Sequence, residues 1–298
     1  MAKSTEKNSG SDSPFASVAV VGLGLLGGSL ALALKRHCPR VHVLGLARRA
    51  ETIEQALAQA AIDLGATEAR EILPQAELTV VCLPINASLE FCRRHLELWR
   101  GGAVVTDVGS TKQRLVEAVR PLLLARSLHF VGGHPMAGSE KSGFAAATED
   151  LYRNAPVFLT PLPDDDPETA AKLADFWRAI GANPAFIEPA AHDALVARTS
   201  HLPHLLAPAL VSLGLRSPQA ALATGGAFRD MTRIAAGSPD MWCDIFEHNR
   251  EQVIAAIDEF LDDFGTLRQA LQDGRWADLK QMLEQARQRR IDWQRDRP

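Results

Sequence analysis

Short apolar runs alternate with helical stretches through the first part of the chain. Each run is continuous and rich in Val, Ile and Leu, which is typical of strands buried on both faces of a sheet. The stretches between them, at residues 25–35, from about Asn86 onward and at 110–124, have helical spacing. Alternation of strand and helix predicts βαβ units in a mainly parallel sheet. The predicted strands are SVAVVG (17–22), VHVLGL (41–46), ELTVVCL (77–83), AVVTDV (103–108), HFVGG (129–133) and PVFLT (156–160).

The pattern changes after a polar turn at residues 161–169. A last strand is predicted at 185–188, and from Pro189 onward only helical apolar spacing remains. The predicted helical segments are 190–215, 239–271 and 276–295, the last rich in Gln and Arg and typical of a solvated or subunit-facing surface. We therefore predict an α/β, Rossmann-type, doubly wound domain followed by an all-α C-terminal domain. The expected boundaries are a disordered tail at 1–14, a nucleotide-binding domain at 15–188 and a helical domain at 189–298.

Composition and charge exclude several classes of protein. The chain has 298 residues, 46% of them hydrophobic and 23% charged, and its net charge of −4 argues against a nucleic-acid binder. The sequence has neither an apolar run long enough to span a membrane nor the apolar segment of a secretory signal. Its four cysteines form no CxxC pair and no cluster with metal-ligand spacing. We therefore expect no disulfide framework, no metal site, no membrane partner and a cytoplasmic protein.

A glycine motif lies between the first predicted strand and the first predicted helix. In GLGLLG, Gly22 permits a tight turn, Gly24 lets the backbone approach a pyrophosphate, and Gly27 lets the helix pack closely on the strand. The backbone amides at the helix start, including those of Leu25 and Leu26, would hold the phosphate charge. The pattern predicts a dinucleotide site, and a glycine-rich turn without a ligand is the alternative.

The end of the second predicted strand bears on which dinucleotide is bound. NAD-binding units carry an acidic residue there for the ribose 2′-hydroxyl, but this chain has Ala47 followed by Arg48 and Arg49. Two guanidiniums can pair with a 2′-phosphate, and each such contact contributes about 1.5–3 kcal/mol. We therefore predict NADP as the cofactor, with NAD as the weaker alternative. The two arginines could instead be only the polar start of a loop.

Four further motifs give the chain a resemblance to a known family. They are DVGSTK (107–112), GHPMAGSEKSG (133–143), SHLPH (200–204) and FRDMTRIA (228–235). Together with GLGLLGGS, they occur in family order over nearly the whole chain from Ser17 onward, and the sequence resembles the prephenate and arogenate dehydrogenases of tyrosine biosynthesis. The resemblance implies transfer of a hydride from ring C4 of a cyclohexadienyl substrate to a nicotinamide, loss of the C4 hydroxyl proton, and loss of CO₂ from C1.

The resemblance also implies roles for single residues. His134 matches the catalytic histidine, and an imidazole can take a hydroxyl proton at neutral pH. Ser110 matches a serine that hydrogen-bonds near this histidine, although a serine at the start of the predicted helix 110–124 is also a natural N-cap. Arg233 matches the arginine that binds a substrate carboxylate. Asp230 could orient Arg233 through an ion pair.

Further candidates for substrate binding lie on the first helix of the second domain. At about 100° per residue, Ser200, His201 and His204 fall within one arc of roughly 100° on a helix that is otherwise apolar. A buried polar face needs partners, which substrate oxygens would supply, and residues matching the two histidines lie at the family's substrate site. Glu140 matches an acidic residue of the family's active-site loop. Trp242 could close the pocket or belong to the core.

Two other functions stay open from the sequence. A dehydrogenase of the β-hydroxyacid type would need a catalytic lysine on the first helix of the second domain, where AAHDALVARTSHLPH has histidines and no lysine. A protein that senses NADP without catalysis would have no need of His134, Ser110 and Arg233 together. We expect an enzyme that acts on prephenate, arogenate or both, as a homodimer, because the long helices would be poorly covered in one copy.

Overall fold

The computed structural model describes residues 13–139 and 141–295. The tail predicted at 1–14 therefore lies almost wholly outside the described residues. The strands are β1 (Ser17–Val21), β2 (His42–Leu46), β3 (Leu64–Ala66), β4 (Leu78–Val81), β5 (Val104–Asp107), β6 (His129–Phe130), β7 (Gly132–Pro135), β8 (Pro156–Thr160) and β9 (Asn183–Phe186). The helices are α1 (Leu25–His37), α2 (Ala50–Ala58), α3 (Ile85–Arg94), α4 (Gln113–Leu124), α5 (Pro167–Ala179), α6 (Pro189–Val196), α7 (Leu202–Gly214), α8 (Pro218–Leu222), α9 (Gly226–Thr232), α10 (Pro239–His248), α11 (Arg250–Gln272) and α12 (Trp276–Arg295).

Six strands form one parallel sheet in the order β3-β2-β1-β4-β5-β6. β1 is buried on both faces because Val18 and Val20 join one hydrophobic core while Ala19 and Val21 join the other. This explains why its sequence is a continuous apolar run. The order reverses between β1 and β4, which is where open α/β sheets bind ligands. The predicted Rossmann-type, doubly wound architecture is confirmed.

The remaining strands form a second sheet, which the sequence pattern did not separate from the first. β7 pairs antiparallel with β8, and β8 pairs parallel with β9. A Cβ on Gly133 would lie 2.7 Å from the carbonyl oxygen of Asp107, so only glycine lets β7 cross this closely over the end of β5. The crossing places His134, the next residue, at the carboxyl edge of the parallel sheet. The strand predicted at 185–188 begins two residues earlier, and β3 was missed.

The second half of the chain is helical, as predicted, with no strand among residues 189–295. The helix predicted at 190–215 contains one π-helical turn, Ala197–His201, between α6 and α7. Pro203 follows this turn and has no N–H to donate to the carbonyl of Thr199, so regular α-helical bonding cannot continue through it. The segment predicted at 239–271 is likewise divided, at Asn249, into α10 and α11.

The last two helices present large apolar side chains to the surface of the single chain. On α11 the residue Phe264 is 56% exposed, and on α12 Trp276 and Leu283 are 65% and 59% exposed. No residue of α12 is buried. Patches of this kind mark interaction surfaces. None of the described helices is long and apolar enough to cross a membrane.

Candidate active site

The glycine motif forms the turn that the sequence predicts at the carboxyl end of β1. Gly22 has φ +95°, and a Cβ there would lie 2.6 Å from the carbonyl oxygen of Cys82. A Cβ on Gly27 would lie 2.0 Å from the carbonyl oxygen of Gly22, which explains the close packing of α1 on the turn. Apart from its two chain neighbours, no atom of the described residues lies within 4 Å of the Cβ position at Gly24. The backbone there is open to a ligand.

The first turn of α1 fits an anionic group. Gly24 occupies the N-cap position, no side chain of residues 13–139 or 141–295 caps the helix, and the first turn has no acidic residue. Within this part of the chain the amides of Leu25 and Leu26 therefore have no side-chain acceptor, and the positive end of the helix dipole faces the open backbone. Tyr152 supports this turn from behind, since its hydroxyl donates to the carbonyl of Leu26 at 2.7 Å. The residues present fit the pyrophosphate of a dinucleotide.

Arg48 and Arg49 lie beside this turn. They follow β2, whose last residue, Leu46, accepts a hydrogen bond from the amide of Gly22 at 2.8 Å. Both arginines are exposed, and Arg49 occupies the N-cap position of α2. Their guanidiniums are thus free of the core and close to the place where the ribose of a bound dinucleotide would lie.

A buried ion pair supports the floor of the site. Asp107, at the end of β5, forms an ion pair with the ammonium of Lys112 and accepts hydrogen bonds from the amides of Gly109 and Gly133 at 2.7 and 3.0 Å. The Lys112 ammonium also donates to the carbonyl of Gly133 at 2.8 Å. Burial lowers the pKa of Lys112, while Asp107 acts in the opposite direction. These bonds fix β7 relative to β5, and the sequence reasoning assigned Asp107 and Lys112 no role.

Ser110 lies half-buried in the loop between Asp107 and α4. The alternative role of Ser110 as an N-cap is wrong, because α4 begins three residues later, at Gln113. The amides of Lys112 and Gln113 instead donate to the carboxylate of Asp193, at 2.7 and 2.9 Å. Asp193 belongs to α6, so a side chain of the helical domain caps a helix of the nucleotide-binding domain.

His134 is the first member of a buried chain of hydrogen bonds. Its Nδ1 lies 2.8 Å from Nε2 of His192, and Nδ1 of His192 lies 2.8 Å from Oδ1 of Asp193. Burial lowers the pKa of His134 well below the ordinary histidine value, and His192, Lys112 and His201 act in the same direction. His134 is therefore neutral at neutral pH, the state in which an imidazole accepts a proton.

The sequence reasoning missed His192 and Asp193. The signal available was a neighbouring His and Asp on α6, a helix with otherwise few polar residues. Buried polar residues must be hydrogen-bonded, and both side chains prove to be almost wholly buried. The partners themselves come from β7 and α4, which helical spacing does not reveal.

A second chain of hydrogen bonds orients His201. The amide nitrogen of Asn249 donates to the carbonyl of Asp193 at 2.8 Å and lies 3.1 Å from Nδ1 of His201. Since an amide nitrogen only donates, Nδ1 of His201 is the acceptor and the ring proton is on Nε2. Burial lowers the pKa of His201 to about 4. His201 is therefore a neutral donor at neutral pH.

Trp242 closes one side of the histidine cluster. The ring of His204 stacks on it with 3.6 Å between centroids, and the ring of His201 meets it edge-on at 6.0 Å. His201 and His204 are buried, whereas Ser200 is only half-buried. The predicted 100° arc does not apply, because Ser200 and His201 lie in the π-helical turn, where the angle per residue is smaller. The two histidines still share one neighbour.

The remaining predicted residues lie at the edge of the cluster or outside the described residues. Arg233 is exposed at the start of a 3₁₀ turn, Arg233–Ala236, that packs against α7. Gly237, which follows this turn, lies against the rings of His204 and Trp242. A Cβ at Gly237 would lie 3.0 Å from each of the two side chains. Asp230 is exposed on α9, and the structure from 141 to 295 shows no ion pair between it and Arg233. Glu140 lies outside the described residues.

Two family models match most of the chain. The model described as prephenate dehydrogenase, nucleotide-binding domain, matches residues 30–185. The model described as prephenate dehydrogenase, dimerization domain, matches residues 188–285. Among curated proteins, a prephenate dehydrogenase of Bacillus subtilis is 36% identical over 84% of this chain and 69% of its own length. A cyclohexadienyl dehydrogenase of Zymomonas mobilis is 31% identical over 87% of this chain and 90% of its own length.

Solved structures give the same result. A prephenate dehydrogenase of Aquifex aeolicus, in complex with hydroxyphenyl propionate and NAD⁺, superposes with a TM-score of 0.86 at 31% identity, covering 93% of this chain and 97% of that one. A 3-hydroxyisobutyrate dehydrogenase of Salmonella typhimurium reaches a TM-score of 0.56 at 15% identity, which shows a shared fold alone. The chain therefore belongs to the prephenate and arogenate dehydrogenase family.

Proposed function

We propose that this protein catalyses the oxidative decarboxylation of prephenate, of arogenate or of both, with hydride transfer to NADP in preference to NAD. The observation that carries the proposal is the placement of a buried, neutral His134 at the same edge of the sheet as the open glycine turn. A proton acceptor and a dinucleotide cradle at one edge are what the oxidation of a hydroxyl-bearing ring requires.

The glycine turn supports the cofactor part of the proposal. Gly22, Gly24 and Gly27 shape the turn, and the amides of Leu25 and Leu26 would hold the pyrophosphate. When bound, the nicotinamide supplies the hydride acceptor. Preference for NADP rests on Arg48 and Arg49, which are exposed beside the turn where an NAD-binding unit would carry a carboxylate.

His134 and its neighbours support the substrate part. Nε2 of His134 takes the hydroxyl proton of the ring, and Ser110 lies in the loop beside β5 as a further hydrogen-bonding group. His201 donates from Nε2 to a substrate oxygen, and His204 and Ser200 extend the same polar surface.

The substrate carboxylates need cationic partners, which the net charge of −4 does not supply as a general field. Arg233 is the proposed partner of one carboxylate because its turn packs beside His204. Asp230 is proposed as a polar group at the edge of the same site, and Glu140 as the acidic residue of the substrate-binding set that the family resemblance implies.

We also propose a homodimer formed through the helical domain. The exposed apolar side chains of α11 and α12, Phe264, Trp276 and Leu283 among them, would be covered by the same helices of a second copy. The matching family model describes this region as a dimerization domain. In this proposal the nucleotide-binding domain comprises residues 15–188 and the helical domain residues 189–298.

Steady-state kinetics of the wild type and of His134→Asn test the proposal. Absorbance at the reduced-nicotinamide band should rise with NADP and prephenate or arogenate, and turnover in His134→Asn should fall by roughly 10²–10⁴-fold with NADP affinity unchanged. His129→Asn, on the neighbouring strand β6, is the matched control and should retain wild-type turnover. Absence of a signal from the wild type with either substrate and either cofactor would refute the proposal.

A further inference from the structure

The buried chain from His134 to Asp193 defines where each proton lies. Oδ1 of Asp193 accepts from the amide of Lys112 at 2.7 Å, and Oδ2 accepts from the amide of Gln113 at 2.9 Å. The carboxylate is thus used as an acceptor on both oxygens. Nδ1 of His192, 2.8 Å from Oδ1, is then the donor in that contact.

The assignment continues from His192 to His134. A neutral imidazole with its proton on Nδ1 has a lone pair on Nε2. Nε2 of His192 lies 2.8 Å from Nδ1 of His134, so Nδ1 of His134 carries the proton of that bond. The lone pair of His134 is consequently on Nε2, the nitrogen that is not engaged by His192.

His192 is separated from any ligand by its burial. Its side chain has no exposed surface, and its ring meets those of His134 and Phe158 edge-on, with centroids 5.0 and 5.7 Å apart. Any effect of His192 on the reaction must therefore pass through His134. Its partner Asp193 is fixed in turn by the start of α4, in the other domain.

We propose that His192, held by Asp193, is a positioning residue that fixes the tautomer of His134 so that Nε2 is the proton acceptor. The proposal rests on the proposed function, in which His134 takes the substrate hydroxyl proton. When that O–H bond breaks, the proton binds Nε2 of His134, and the ring becomes an imidazolium whose Nδ1–H stays donated to His192.

His134 and His201 carry their ring protons on different nitrogens. His134 is held as an acceptor at Nε2 through His192, whereas His201 is held as a donor at Nε2 through Asn249. Both chains meet at Asp193, which binds His192 with its carboxylate and Asn249 with its carbonyl. One residue of α6 thus sets opposite tautomers on two neighbouring rings.

Imidazole ¹⁵N spectra of the full-length protein test the assignment directly. At neutral pH, His134, identified by the signal lost in His134→Asn, should be protonated at Nδ1 and unprotonated at Nε2. In His192→Phe the proton should move toward Nε2. A wild-type His134 protonated at Nε2, or a tautomer unchanged in His192→Phe, would overturn the proposal. The spectra need no turnover, so they are read independently of whether the proposed substrates are correct.

Kinetics separate a positioning role from a merely structural one. His192→Phe keeps a ring in the same space and should lower kcat by roughly 10²-fold while leaving substrate KM and cofactor affinity unchanged. His192→Gln retains an acceptor toward His134 and a donor toward Asp193, so most of kcat should return. Leu195→Ala, on the same helix, controls for disturbance of α6. An equal loss of kcat in His192→Gln and His192→Phe, with equal unfolding temperatures, would contradict the proposed role.

Discussion

Replacement of His201 should change how the stability of the protein depends on pH. Burial lowers the pKa of His201 from 6.5 to about 4. Between these values the unfolded chain binds a proton at this residue that the folded chain does not bind. The free energy of unfolding therefore does not depend on the protonation of His201 above pH 6.5, and it decreases as the pH falls from 6.5 toward 4. Below about pH 4 the contribution of His201 changes no further. Across the window the loss amounts to about 3 kcal/mol.

The assay is the free energy of unfolding by denaturant at several pH values within this window, for the wild type and for His201→Asn. The asparagine can place an oxygen near the Nδ1 position and so keep the bond from Asn249. Between pH 6.5 and 4 the wild type should lose about 3 kcal/mol more than the variant. Burial is the largest cause of the low pKa of His134 and is present in both proteins, so most of the contribution of His134 cancels. Parallel curves for the two proteins would show that the buried His201 does not resist protonation, and His129→Asn should follow the wild type.

Three further predictions concern the cofactor turn and the substrate carboxylate. Gly24→Ala should fold normally but bind NADP weakly, because its Cβ enters the open backbone of the glycine turn. Gly27→Ala should instead lose roughly 1–3 kcal/mol of stability, because its Cβ meets the carbonyl oxygen of Gly22. Calorimetry measures NADP binding and denaturation measures stability, so together they distinguish the two effects. Joint replacement of Arg48 and Arg49 by Ala should lower the ratio of NADP to NAD efficiency by about tenfold or more, and an unchanged ratio would refute the assignment. Arg233→Ala should raise substrate KM by about tenfold or more, with NADP affinity unchanged.

The parts of the fold that could be predicted depend on local sequence. The glycine turn is formed by a strand, a loop and a helix that follow one another, and the structure has a left-handed turn at Gly22, open backbone at Gly24 and close packing at Gly27. The assignment of β7 to a second sheet depends instead on how closely Gly133 approaches the end of β5. A strand pattern carries no information about that contact.

The helical domain shows a second limit. Pro203 is visible in the sequence, but whether a helix kinks, ends or takes up a π-helical turn at a proline depends on its tertiary packing. The arc calculated for Ser200, His201 and His204 assumed a regular helix, and the turn at Ala197–His201 removes that assumption. The proximity of His201 and His204 was still foreseen, because both lie close together in the chain.

The hydrogen-bond chain behind His134 could not be predicted from spacing. It joins β7, α6 and the start of α4, and the bond between Lys112 and Asp193 spans 81 residues. From local sequence, Ser110 was a natural N-cap for the start of α4. In the structure the distant carboxylate of Asp193 accepts the bonds from the amides at this helix start. Local capping preferences describe an isolated helix, and here a tertiary contact supplied the acceptor.

In the proposed reaction this protein couples oxidation of a ring to loss of its carboxylate, with His134 as the base. The most direct test measures released CO₂ and reduced nicotinamide in the same reaction, with NADP and prephenate or arogenate. We expect equal amounts of the two products at all times and a parallel loss of both in His134→Asn. Reduced nicotinamide without CO₂, or equal rates in His134→Asn and the wild type, would contradict it.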